Sequence, residues 1–137
     1  MPLIRRLGRE LLAPLFVTSG LDAVRNPERT AAKAATVTTP LADAFGLPDD
    51  PVMFVRLNGA VQVVAGSMLA MNRWPRLAAL ALAGSLIPTT LAGHRFWNEP
   101  DPSGRAAQRI QFMKNAAMLG GLLVVVSERS RGRAEVS

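Results

Sequence analysis

Apolar positions along this chain are clumped rather than alternating. Four stretches stand out: Leu7–Val24 (LGRELLAPLFVTSGLDAV), Val52–Met71 (VMFVRLNGAVQVVAGSMLAM), Trp74–Ala92 (WPRLAALALAGSLIPTTLA) and Ile110–Ser127 (IQFMKNAAMLGGLLVVVS). A helix rising about 1.5 Å per residue needs about 20 residues to cross a hydrocarbon core of about 30 Å, and each stretch has that length. A soluble helix sets an apolar stripe against a polar face. Leu77–Ala92 shows almost no polar face, and Ala116–Val126 shows none. Gly, Ala, Ser and Thr recur throughout, as they do where membrane helices approach closely. The pattern predicts an all-α fold: a transmembrane four-helix bundle, with a longer outer loop carrying short helices between the first and second spans. Arg5, Arg6 and Arg9 ahead of an apolar run also resemble a signal peptide. Glu10 and Asp22 interrupt that run, however, and no small-x-small cleavage site follows, so the segment reads as a retained helix.

Prolines and acids punctuate the spans. Asp50-Pro51 and Asp101-Pro102 each set a capping residue before a proline at the first helical position. Thr39-Pro40 does the same for a short helix ending near Gly46. The long first connection, Arg25–Pro51, reads as one or two short helices lying on the outer surface. Pro14 and Pro88 fall inside spans.

Composition removes whole classes of chemistry. The 137 residues include no cysteine and one histidine. Disulfides, thiolate metal sites, iron–sulfur clusters and His-rich zinc sites are therefore outside the reach of a single chain, and no metal site is expected. The methionines lack a repeat or a histidine partner and read as packing residues. The net charge of +6 could suggest nucleic acid, but the basic residues flank the spans and form no separate basic domain. Arg5, Arg6, Arg9, Arg73, Arg76, Arg129, Arg131 and Arg133 share one side. Fewer cations occupy the much longer loops of the other. The positive-inside rule then puts both termini in the cytoplasm of a multi-pass protein of the cell membrane. Residues 1–128 form the membrane domain, and 129–137 a basic cytoplasmic tail, expected to be disordered or laid against anionic lipid.

Candidate chemistry follows from depth. Asp22 lies near the outer end of the first span, and Arg56 and Lys114 about one turn inside the outer ends of the second and fourth. Charges inside spans are costly and usually paired, so Asp22 is expected to neutralise Arg56 or Lys114. Asn58 and Gln62 share a face of the second span, and Gln111, Lys114 and Asn115 one face of the fourth. His94 sits at the outer end of the third beside Trp97, an interface residue. One reading collects Asp22, Arg56, Asn58, Gln62, His94, Trp97, Gln111, Lys114 and Asn115 into an outward-facing pocket. Such a pocket would bind an anionic or carbonyl-bearing ligand, such as a quinone headgroup. The competing reading pairs the charges between helices, or lets Arg56 and Lys114 snorkel to the headgroups.

Several segments are similar to a known family. They are Leu15-Phe16-Val17-Thr18-Ser19-Gly20-Leu21, Asn58-Gly59 through Ala65-Gly66, Gly93-His94-Arg95-Phe96-Trp97, Gln111-Phe112-Met113-Lys114-Asn115 and Met118-Leu119-Gly120-Gly121. With them the chain resembles the DoxX family of small four-helix membrane proteins, and its Arg- and Ala-rich, cysteine-free composition looks actinobacterial. The resemblance implies a transmembrane bundle. It also implies kinship with the membrane subunit of a thiosulfate–quinone oxidoreductase, and with a scaffold that joins superoxide dismutase to a thiosulfate sulfurtransferase. It supplies no catalytic residue. Where many relatives carry a glutamate in the second helix this chain has Gln62, which argues against proton handling. No nucleophile–base pair, paired carboxylates or phosphate loop points to an autonomous enzyme. The expectation is an accessory or scaffold protein of redox and thiol homeostasis, with lipid, soluble redox enzymes or quinone as partners. The alternatives are an accessory subunit of a larger membrane complex, or a small-solute transporter subunit.

Overall fold

The computed structural model describes residues 2–93 and 96–128. The described residues form five α-helices: α1 (Pro2–Arg25), α2 (Glu28–Phe45), α3 (Pro51–Ala70), α4 (Pro75–Gly93) and α5 (Pro102–Ser127). A single 3-10 turn, Phe96–Asn98, precedes α5, and no strand occurs among the described residues. The basic tail and His94 lie outside the described residues. The expected all-α bundle is what forms. Three helices are long and apolar enough to cross a membrane: α3, the helix opening at Pro75, and α5. By that measure α1 does not qualify, because Arg9, Glu10 and Asp22 fall within its apolar stretch. Its outward face is nonetheless a ladder of exposed leucines at every fourth position, Leu3, Leu7, Leu11 and Leu15, a surface suited to lipid.

The connection between α1 and α3 departs from expectation. One 18-residue helix, α2, replaces one or two short ones, and Pro40 lies inside it rather than opening a helix. The physical reason lies at the start. Pro27 sits where its missing N–H costs nothing, Glu28 complements the helix dipole, and the Ala-rich run after it favours helix strongly. Against that run, Pro40 removes one hydrogen bond near the far end. The end itself matches the sequence: Gly46 adopts φ +65°, and the Leu47 N–H reaches the Ala42 carbonyl at 2.9 Å.

The aspartate caps form as read. The Asp50 carboxylate accepts from the Met53 N–H at 3.1 Å, with Pro51 behind it. Asp101 accepts from the Ser103 hydroxyl at 2.8 Å and the Gly104 N–H at 3.2 Å. Those bonds, the Ser103 hydroxyl first, hold its carboxyl below the ordinary range.

Packing begins with α1 on α3, the most extensive helix pair. A Cβ placed on Gly20 would lie 2.5 Å from the Gly59 carbonyl oxygen, and one on Gly59 would lie 2.7 Å from the Gly20 carbonyl oxygen. The two backbones touch at this crossing, which only glycine permits. One helical repeat further on, Gly66 accommodates Val17 and Phe16. Phe16, Leu69, Leu82, Leu86 and Leu122 then fill the core between α1, α3, α4 and α5.

A polar clasp closes one end of the bundle. Arg9 donates to the Asn72 side chain and pairs with Glu128, both charged side chains being mostly buried. Arg76 Nε donates to the Val126 carbonyl at 2.9 Å. The start of α1, the α3–α4 turn and the end of α5 therefore meet. At that end Leu12 also lies over Gly121.

Gly20→Ala or Gly59→Ala should lower the thermal unfolding midpoint in detergent, by about 1–3 kcal/mol of stability, because the obstacle is backbone. Gly84→Ala meets open space on a helix and should instead stabilise by roughly 0.5–1 kcal/mol. Arg9→Met should cost about 3 kcal/mol by stranding Glu128, and adding Glu128→Leu should recover most of it. A double mutant no more stable than Arg9→Met would remove the ion pair from the account.

Candidate functional site

The helices α1 and α5 touch only near the clasp. Toward the other end they separate, and a cavity of about 380 Å³ occupies the wedge, with α3 and α4 behind it. Leu15, Phe16, Val55, Leu86 and Met118 give it apolar walls, and α2 crosses its mouth with Thr30, Lys33 and Ala34.

Polar side chains enter this space from three helices. Asn58 belongs to a closed ring with α4. The Ser85 hydroxyl donates to Asn58 Oδ1 at 2.8 Å, Asn58 Nδ2 donates to Thr89 Oγ1 at 2.9 Å, and the Thr89 hydroxyl donates to the Ser85 carbonyl at 2.9 Å. Each side chain in that ring both finds and offers a partner, as a low-dielectric setting favours. Asn115 ties α5 to α4 by donating from Nδ2 to Thr90 Oγ1 at 3.0 Å. Gln62 differs. It is only 4% exposed, it lines the cavity, and its amide makes no hydrogen bond among the described residues. It lies about 16 Å along α3 from Pro51, near the middle of a helix that spans about 30 Å. An unpaired amide at that depth costs free energy unless something in the cavity satisfies it.

Charge sits at the mouth. Lys33 and Lys114 are exposed and form no ion pair among the described residues. Asp22 lines the same opening, but its carboxylate is taken. Arg29 donates to it at 3.4 Å and the Asn26 amide at 3.2 Å. The cavity entrance thus carries two free ammonium groups against one neutralised acid.

Of the expected site residues, Asp22, Asn58, Gln62, Lys114 and Asn115 share this cavity. The pairing of Asp22 with Arg56 or Lys114 does not form; Arg29, the second residue of α2, reaches it instead. Arg56 is exposed outside the cavity, where its Nε donates at 3.3 Å to the Val24 carbonyl, one of the orphan carbonyls at the end of α1. Trp97 and Gln111 are also exposed and outside it. Trp97 instead joins Phe96 and Phe112 in an edge-to-face trio with centroids 5.2–5.6 Å apart, anchoring the 3-10 turn to α5. Lys33 was not expected. Once α2 is one helix from Glu28, Thr30, Lys33 and Ala34 fall on one face at helical spacing, a signal hidden by reading a loop there.

The DoxX family model matches residues 4–95, from the first turn of α1 to the end of α4. The chain belongs to the DoxX family. No curated protein and no solved structure matches it. A small integral membrane protein is what family membership and the three apolar helices together describe. The cavity of this DoxX protein takes most of its lining from the matched region, while Lys114 and Asn115 come from α5 beyond it.

The exposed Asp22–Arg29 pair and the inner ring should behave differently on mutation. Asp22→Asn should change thermal stability in detergent by less than about 1 kcal/mol, since both partners are solvent-accessible. Asn58→Leu strands the Ser85 hydroxyl and the Asn58 partner site on Thr89, and should cost about 2 kcal/mol. Equal effects would mean that the ring contributes no more than the surface pair.

Proposed function

We propose that this DoxX protein is an accessory and scaffold protein of redox and thiol homeostasis in the plasma membrane, and that its cavity receives the headgroup of a quinone. The observation that carries the reading is the Gln62 amide, which meets no hydrogen-bond partner among the described residues and opens into a cavity with apolar walls. A quinone headgroup is flat and apolar with polar oxygens at opposite ends. It would lie between Phe16, Leu86 and Met118, present one oxygen to Gln62, and leave the other toward the cations at the mouth. The wedge between α1 and α5 gives a lipid-borne tail a way out. No proton or electron transfer is assigned to the chain.

The opposite end supports the scaffold role. Arg5, Arg6, Arg73 and Arg76 are exposed where α1 begins and the α3–α4 turn lies. With this end cytoplasmic, both chain termini face the soluble redox enzymes that such a scaffold would recruit, a superoxide dismutase and a thiosulfate sulfurtransferase by family resemblance. Long basic side chains near a membrane surface attract acidic partners and anionic lipid alike.

The reading is tested with a short-tailed naphthoquinone titrated into the purified protein in nanodiscs. The native chain should bind it, and Gln62→Leu should weaken binding at least fivefold while the ligand-free protein becomes equally or more stable, since an unpaired buried amide has been removed. Saturable binding that Gln62→Leu leaves unchanged would overturn it.

A further inference from the structure

Lys33 and Lys114 reach the cavity mouth from helices far apart in the chain, and neighbouring contacts fix the backbone beneath each. Arg29 pairs with Asp22, which sets the rotation of α2 over the end of α1. Lys33 follows Arg29 by four residues and shares its helical face, so the same pair brings Lys33 over the opening. On α5, Asn115 is bound to Thr90, and Met118 lines the wall one turn further along, which holds Lys114 at the rim. Neither lysine forms an ion pair among the described residues. Asp22 is the one acidic side chain in the described lining, and Arg29 and the Asn26 amide already occupy it. The rest of that lining is neutral, so the opening holds a surplus of positive charge. Two ammonium groups at one opening repel each other, and an anion there relieves the repulsion.

We infer that this cavity selects an anionic head: a ring whose outward end carries an ionised hydroxyl, held by Lys33 and Lys114 together, is preferred over the neutral ring. The inference rests on the reading of the cavity as a quinone-type headgroup site, and it names the charge state taken there. A neutral carbonyl oxygen offers an ammonium group only a dipole. An ionised hydroxyl offers a full charge and accepts charge-assisted hydrogen bonds from both lysines. The two ends of the ring then meet different chemistry. The inner end meets Gln62, an amide without charge. The outer end meets exposed cations, where an anion keeps part of its hydration and the cost of burying it is small. Lysine suits this place, because a flexible four-carbon stem lets the ammonium follow a ligand in and out.

The experiment uses the full chain in nanodiscs of zwitterionic lipid at neutral pH. Two short-tailed naphthoquinones differ in one ring substituent: a 2-hydroxyl, which is ionised under these conditions, and a 2-methyl, which is neutral and of similar size. The readout is the ratio of their affinities, compared between native chain and variants, so that any difference in how the probes enter the bilayer cancels. Lys33→Met and Lys114→Met should each lower the anion-to-neutral ratio about threefold, the yield of an exposed charge pair, and the double variant about tenfold. Lys33→Arg and Lys114→Arg should keep the native ratio, since charge decides it. Added salt should lower the ratio of the native chain and leave that of the double variant unchanged. Gln62→Leu should weaken both probes and leave the ratio standing. Both lysines are exposed, so their variants should keep the native unfolding midpoint, and a lost ratio reports charge rather than folding. If the native chain binds neither probe, the headgroup-site reading fails and this inference with it. If it binds both and the double variant leaves their ratio unchanged, the site stands and the charge selectivity is overturned: the two cations then serve the bilayer surface.

Discussion

Everything in this bundle is arranged around the contact of two glycines. Gly20 and Gly59 let the α1 and α3 backbones touch, with each carbonyl oxygen where the other's side chain would begin. That crossing seats Phe16 in the core and turns the Asp22 end of α1 toward α2. Because α1 is committed to α3, it can meet α5 only at one end, where Leu12 lies on Gly121 and Arg9 pairs with Glu128. The wedge that opens beyond is a consequence of this geometry. A protein with side chains at the crossing would lose it by rolling α1 away from α3.

The polar groups within the bundle divide by whether the protein satisfies them. Ser85, Asn58 and Thr89 bond one another in turn, and Thr90 accepts one N–H of Asn115. Such bonds tie α3 and α5 to α4 in a medium without competing water. The Gln62 amide lines the cavity with no partner among the described residues, while the buried polar atoms left unpaired are Arg9 Nε and Thr38 Oγ1. The cations divide in the same way. Arg9, Arg29, Arg56 and Arg76 are occupied by carboxylates or helix-end carbonyls, while Lys33 and Lys114 stay free at the entrance.

Much of this was legible before any coordinates. Long apolar runs gave the helices, and the Asp-Pro pairs gave the starts of α3 and α5 to the residue, because capping is a local matter of backbone donors. The similar outer depth of Asp22, Arg56 and Lys114 was also legible, since length along an antiparallel bundle converts directly to height. Rotation about each helix was not. Arg56 stands at the right height but on the wrong face, and periodicity alone does not say which neighbour a polar face meets. The continuity of α2 was hidden by Pro40, where a local breaker lost to the alanine-rich helix around it, and with it went Lys33 and the true partner of Asp22. Which hydroxyl each amide meets was beyond reach, because it depends on the rotation of α4 against α3 and α5.

The most direct test of the account is the spacing of α1 and α5, and a chain without cysteine suits it well. Pairs of cysteines placed at Leu12 and Gly121, and separately at Ser19 and Lys114, sample the same antiparallel register at the closed and open ends. Bridging requires Cα atoms within about 7 Å. Under mild oxidation in nanodiscs, the first pair should cross-link rapidly and the second should stay reduced. Equally fast cross-linking of both pairs would mean that the helices lie together along their length, with no cavity for Gln62 to face.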